Sequence, residues 1–373
     1  MMNRTLLNKP SLSTGRVVSL CLLWLLTTAM SSGPCRLEQP SQPSSQMMVR
    51  ILVGDCSEED RTLLAVSAQE VLAALQAGQG VELDGVRLHG DLMLDALPLE
   101  GIPNTDHLPA LVQERFDHEQ VTEVRMIKGP LIFRQVDVPG ILATNLVHRE
   151  YLLIQGPVSI TESTFRQSVD FSRAIFQEMF DLSETTISFE GFFIKAIFLN
   201  QANFSQVRFG THSRFHKAVF VGTASFHEAE FQGLAELLEV GFSQEADFSQ
   251  SRFAQGTGFS GTKFREVPNF SETTFEAETF FRFTEFDKGG NFRGSTFRKT
   301  ADFTEATFGG KSDFSRVAFE EAPQFTDEGL KDKFRGSPGL QGSQSLAGLF
   351  VLAGLILVFF YFLFRKQERK SSQ

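Results

Sequence analysis

ADFSQSRFAQGTGFSGTKF, residues 246–264, places Phe at 248, 253, 259 and 264, at steps of five, six and five. Followed outward, the same alternation starts at Ile160 and reaches Phe325 through 31 positions without a slip. Phe fills 27 of them, and Ile160, Leu182, Ile187 and Leu237 fill the rest. Two residues before each large position stands, almost always, a small or β-branched residue, such as Ala202, Ala218, Ala246, Ser251, Thr257 or Ala301; Phe180 is the large exception. Neither the helical period of 3.6 nor the strand period of 2 generates this pattern. A solenoid with short flat faces does, if each face sends one large and one small side chain inward and a turn follows.

Four faces alternating five and six residues close a square coil at 22. The neighbouring positions test that inference. At steps of 22, the residue before the large one is Asp181, Asn203, Ser225, Asp247, Asn269, Asn291 and Asp313. In the set halfway between it is Phe192, Arg214, Glu236, Gly258, Phe280 and Asp302. The 11-residue units are therefore of two kinds, and the coil repeat is 22. Asx and Ser side chains suit the turns because they bond nearby backbone groups. At about 4.8 Å per level, roughly eight coils make a rod of about 35–40 Å. Burial of each Phe stabilises by about 1.5–3 kcal/mol, while ordering each residue costs a comparable amount. The hydrogen bonds between coils must then be nearly complete, which predicts a stiff rod. Its structural core is the ladder Phe204, Phe226, Phe248, Phe270, Phe292 and Phe314.

The units ANFSQ (202–206), ADFSQ (246–250), PNFSE (268–272), ADFTE (301–305) and SDFSR (312–316) resemble the A(D/N)LXX unit of the pentapeptide-repeat family. The resemblance covers residues 158–327, in the Phe-rich form with eleven-residue pairs. It implies a mainly β fold, a right-handed quadrilateral β-helix.

The ends of the chain carry an address. Residues 1–16 hold Arg4, Lys9 and Arg16 and no acid, and VVSLCLLWLLTTAM (17–30) is a short apolar run. About 20 residues are needed to span a bilayer, so 1–31 reads as a secretory signal with cleavage after Ser31. An uncleaved anchor is the alternative, and Pro34 makes Cys35 a poor lipidation site. Residues 346–364 are 19 uncharged, mostly apolar positions followed by Arg365, Lys366, Arg369 and Lys370. That pattern predicts a transmembrane helix, with a cytoplasmic basic tail at 365–373. Residues 32–345 would then lie outside the cytoplasm, where Cys35 and Cys56 either pair or stay free.

Between signal and repeat, 32–48 reads as a linker and 49–80 as a helical cap. Its helix runs from the Ser57/Asp60 capping box to about Ala77 and stops at Gly78. Residues 81–159 read as less regular β structure leading into coils at 160–327. MIKGPLIF (126–133) and LIQGPVSI (153–160) look like copies 27 residues apart. Residues 328–345 form a second linker.

Composition narrows function. Thirty-five Lys and Arg face 45 Asp and Glu, a formal charge of −10, which argues against nucleic-acid binding. Forty Phe stand against 2 Tyr and 1 Trp; recognition surfaces favour the latter pair, so the Phe excess reads as core. Among the seven His, His216 and His227 fall half a coil apart on opposite sides of a rod, and His212 and His216 lack a nearby acid or thiol. No metal or cofactor site is expected. Turn carboxylates such as Glu228, Glu230, Glu266, Glu272, Glu276 and Glu278 read as solvated, and no GxSxG, HExxH or P-loop occurs. No catalytic residue is assigned. Asn203 and Asn269 match glycosylation acceptors as by-products of the repeat. The expected role is a membrane-tethered scaffold for a protein partner. The alternatives are an acidic DNA mimic that inhibits a topoisomerase-like enzyme, as the resemblance allows, and a glycan-binding or hydrolytic β-helix.

Overall fold

In a computed structural model of the chain, residues 33–39, 46–102, 108–147 and 149–326 are described. They form a solenoid whose four sides are sheets of nine, nine, nine and ten strands, beside one separate two-stranded pair. We number the sides in chain order by the large residue each buries: face 1 holds Phe204, face 2 Phe209, face 3 Phe215 and face 4 Phe220. The 22-residue repeat is the register itself. Ala202 pairs with Ala224, Arg208 with Glu230, Ser213 with Ala235 and Val219 with Gly241, all in parallel.

Inside, each Phe lies over the Phe one coil on. The rings of Phe226 and Phe248 are 4.8 Å apart and 3° from parallel, and those of Phe259 and Phe281 5.0 Å and 4°. That spacing is the strand spacing, so the backbone ladder and the ring stack share one pitch. Neighbouring faces meet edge to face, as Phe248 does Phe259 at 88°. Both arrangements are favourable for aromatic quadrupoles. Phe180, the large residue at a small-residue position, is fully buried among Phe171, Phe176, Phe193 and Phe198.

The corners explain the alternation of five and six. Each five-residue step turns through a left-handed residue, at Gln206 (φ 58°) and Lys217 (φ 58°) in one coil. On face 1 the Asx side chain holds the turn: the N–H groups of Ser205, Ser249 and Ser271 donate to Oδ1 of Asn203, Asp247 and Asn269 at 3.1, 2.9 and 3.1 Å. Buried hydroxyls tie coils together, with Thr273 Oγ1 donating to the Phe248 carbonyl at 2.7 Å and Thr284 Oγ1 to that of Phe259 at 2.9 Å.

The solenoid starts well before residue 160. On face 1 it counts eleven levels, from strand β2 (Met47–Val53) and strand β4 (Gly80–Asp84) to the bridge residue Asp313. The rod is therefore about 48 Å long, beyond the eight-coil expectation. Its first steps are longer. Val81 pairs with Leu131, 50 residues on, and Leu131 with Val158, 27 on. The two GP-containing copies thus stack in register, Met126 on Leu153. The extra residues fall at one corner, between faces 3 and 4.

Three expectations are corrected. The reading of 32–48 as a linker fails where β1 (Arg36–Glu38) pairs antiparallel with β2, whose first residue is Met47. The helix of 57–77 is broken into α1 (Glu58–Leu63) and α2 (Ala68–Gln76) by β3 (Val66–Ser67). Val66 pairs with Leu88, and the Ser67 side chain accepts from the Gln69 N–H, so a second N-cap starts a new helix there. Lastly, 81–159 is not β throughout: α3 (Ala110–Glu119) occupies the longer corner insertion. Cys35 and Cys56 are joined by a disulfide, which closes the question left open by their number.

The signal at 1–31, the linker at 328–345, the span at 346–364 and the basic tail at 365–373 lie outside the described residues. Among the described residues no helix is long and apolar enough to cross a membrane.

A candidate interaction surface

The ladder residues Phe204, Phe226, Phe248, Phe270 and Phe292 are fully buried, and Phe314 is half-buried near the last described coil. They stack in sequence at 4.8, 4.8, 4.9, 5.0 and 4.7 Å. None of the five buried rings reaches solvent, so whatever the rod does is done by residues that point out.

Outward positions on face 4 begin apolar. Met126, Leu153, Ile175 and Ile197 face away from the Phe stack and form a second buried cluster with Val112 and Phe116 of α3. The alternating pleat sends Leu152 and Ile154 in and Leu153 out. Phe116 meets Tyr151 at 5.4 Å, and Arg173 lies 5.3 Å over the Tyr151 ring. Burial holds the Tyr151 hydroxyl above its ordinary pKa.

Glu119, in the last turn of α3, fastens the helix. Its carboxylate accepts from Arg173 at 2.9 Å and Lys195 at 2.8 Å, and its side chain is only 9% exposed. Burial alone would raise its pKa. The hydrogen bonds and charges of Lys195 and Arg173 outweigh that and lower it to about 2.

Where α3 ends, the apolar stripe runs on without a cover. A groove of about 670 Å³ lies beside the helix, lined by Leu111, His118, Lys217, Val219, Glu239 and Lys263 among others. Its cations are balanced by acids on adjacent coils: Lys217 pairs with Glu239 at 3.5 Å and Lys263 with Glu285 at 2.8 Å. An amphipathic protein surface fits a groove of this mixed character better than a highly charged ligand does.

Face 3 carries a second hollow, of about 390 Å³, between Leu234 and Leu238 on one side and Phe280 and Arg282 on the other. Its floor is Gly256, Gly258 and Ser260. By spacing alone, Gly256, Gly258 and Gly261 follow the GxGxxG pattern. Here they lie inside a β-helical coil with no helix after them, so the glycines shape a trench and no dinucleotide loop is present.

The remaining candidates fall into place singly. His216 follows Phe215 on face 3 and His227 follows Phe226 on face 1, the opposite side, as their spacing implies. His212 does have an acid beside it, Glu236 at 3.1 Å, contributed by the next coil and so invisible in a local reading. Among the described residues no three His, Cys, Asp or Glu side chains gather as a metal set. Glu230 and Glu276 on face 2 pair with Arg252 at 3.3 and 3.2 Å. Glu228 accepts from Gln206, Glu272 from Gln250 and Glu266 from Lys288, each one coil away. Glu278 is exposed on the rim of the face 3 trench. Asn203 and Asn269 donate to Asp181 and Asp247, each at 3.0 Å, so both carboxamides belong to the face 1 ladder.

A family model described as Pentapeptide repeats (9 copies) matches residues 259–307. That match and the Phe-laddered solenoid together fit a pentapeptide-repeat protein. No curated protein and no solved structure matches the chain.

Proposed function

We propose that the protein is a non-catalytic scaffold, tethered to a membrane through 346–364, whose rod is held on the extracytoplasmic side to bind a protein partner. The observation that carries this reading is the placement of the insertions. Two successive coils are enlarged at the same corner, by 28 and by 5 residues relative to the 22-residue coil, and the larger one sets α3 on face 4. In stacked-repeat proteins such insertions collect on one side, often the binding side. The partner contact is the exposed side of α3 with the groove beside it. The N-terminal helices serve the stack: α2 buries Val71 and Leu75 in the main core and covers that end of the rod.

The alternative of a DNA mimic is less well supported. The repeat holds 26 acids and 19 bases over 160–335. Its acids pair across coils, as in Arg265–Asp287 at 2.7 Å and Lys299–Glu321 at 3.0 Å. The resulting surface is mixed, unlike the unbroken charge of a phosphate backbone. A partner on α3 is tested by in-cell crosslinking of the tagged full-length chain, followed by mild-detergent recovery and mass spectrometry. Leu111→Glu and Lys217→Glu should each abolish a stoichiometric partner that the parent chain captures. A partner retained by both variants would remove the face 4 assignment. Protease protection of the rod in intact cells, with the tail accessible only from inside, reports the topology; a rod cut from the cytoplasmic side would overturn the tether as drawn.

A further inference from the structure

Coil 256–261 is the one place on face 3 where the outward row loses its side chains. Gly258 stands between Glu236 and Phe280 in register, with Gly256 and Ser260 beside it. Leu238 leans over from the preceding coil, its Cδ2 2.9 Å from where a Gly258 Cβ would lie. Across the trench Arg282 stacks 5.6 Å above Phe280 while its guanidinium is bound to Asp302. At the adjoining corner Phe283 takes φ 55° and is 62% exposed. Its ladder otherwise carries Arg173, Lys195, Lys217, Glu239, Gly261 and Glu305. A bulky residue in the left-handed region is unusual, and such strain is retained where a structure has use for it. Leu234, Phe280 and Phe283 form an exposed apolar patch around a floor that no side chain of this coil fills.

We propose that this trench is the docking groove for the chain's own segment 327–340, with Phe334 as the anchor. Three observations lead there. The first is where the described chain ends. Gly258, Phe280, Asp302 and Gln324 are in register on face 3, so the exit at Thr326 is three levels from the trench floor, about 14 Å. Residues 327–334 span up to about 26 Å when extended, so Phe334 reaches the trench with slack. The second is composition. LKDKFR (330–335) places an aromatic and a leucine four residues apart, which an apolar trench two coil pitches wide can take. The third is charge. Lys331, Lys333 and Arg335 outnumber Asp332, while Glu236, Glu239 and Glu278 stand on or beside the rim, where the cation Arg282 is already held by Asp302. Seated there, Phe334 covers Gly258 against Phe280 and the flanking cations meet the rim carboxylates. The proposal does not depend on the partner surface at α3.

The test is photocrosslinking in the full-length protein with p-benzoylphenylalanine in place of Phe334. The expected product is an intramolecular adduct on peptides containing Leu234–Leu238 or Phe280–Phe283, independent of protein concentration. Gly258→Trp fills the trench without a left-handed backbone to strain, and should abolish that adduct together with the amide-exchange protection of 328–336, leaving the melting temperature of the rod unchanged. Adducts on other faces, adducts only to lipid, or no adduct would overturn the proposal. A crosslinked dimer would assign the trench to a second copy, and an adduct to another protein would assign it to a partner. Either outcome also overturns the intramolecular reading.

Discussion

The regular coils and the corner that carries α3 are held by different physics. From Phe180 onward each coil repeats one solution: a stacked ring, a small neighbour, a turn, and a full set of parallel hydrogen bonds to the next level. Removing any one contact leaves the coil clamped from both sides. The helix α3 has no such redundancy. Its hold is one apolar cluster around Val112 and Phe116 and one carboxylate shared by Arg173 and Lys195. The rod behaves as a stiff support, and the helix as an attachment that can come away without unfolding it.

The comparison can be broken most directly from the core. Phe248→Ala should cost about 3–5 kcal/mol through an unfilled cavity, read as a large fall in melting temperature. An unchanged melting point would show that the ladder is not the source of rigidity. Next comes Glu119→Gln, which leaves Arg173 and Lys195 partly buried without their counter-charge and should loosen α3 by roughly 2–3 kcal/mol. Amide exchange should rise across 110–119 and stay unchanged in coils 180–320. Equal changes in both would mean that helix and rod are one cooperative unit. The same pair gives a pH signature. The carboxyl is depressed from 4.5 to about 2, so its contribution is complete above the unfolded value and is lost as pH falls through about 2. Protection of α3 should therefore fade in acid below pH 4 in the parent chain and show no such loss in the Gln variant. A smaller effect is expected for Thr273→Val, which removes the buried hydroxyl donated to Phe248, at about 1–2 kcal/mol by thermal melting. The smallest is Lys263→Met: its bridge to Glu285 lies at the surface, and its loss should shift stability by at most about 0.5 kcal/mol.

The inside of this protein is readable in its sequence because one residue type returns at fixed intervals, so the 22-residue coil and its two unlike halves could be inferred before any coordinates. The first coils escaped for the same reason. Leu83, Phe133 and Ile160 occupy one stack, but 50 and 27 residues apart, and no fixed interval finds them. The α3 insertion concealed its own signal, Val112 and Phe116 at helical spacing after Pro109, inside a stretch that otherwise alternates. The break between α1 and α2 was hidden because Leu64, Ala68 and Leu75 keep helical spacing across it; the second cap at Ser67 was the available mark. Outside, the row Phe192, Arg214, Glu236, Gly258, Phe280 and Asp302 was plain as a set of letters. Its meaning was not, since which neighbours flank Gly258 depends on residues 22 before and 22 after it.

One feature at the start of the rod bears on how such molecules behave in a crowd. The parallel coil is a template: its exposed level invites another chain to add in the same direction, and repetition of that event makes a filament. On face 1 the outermost strand is β1, which runs the opposite way, and Cys35 beside it is bonded to Cys56 on the far side of β2. A parallel newcomer meets a reversed strand and loses its register on this side, so β1 acts as a covalently fastened terminator of polymer growth.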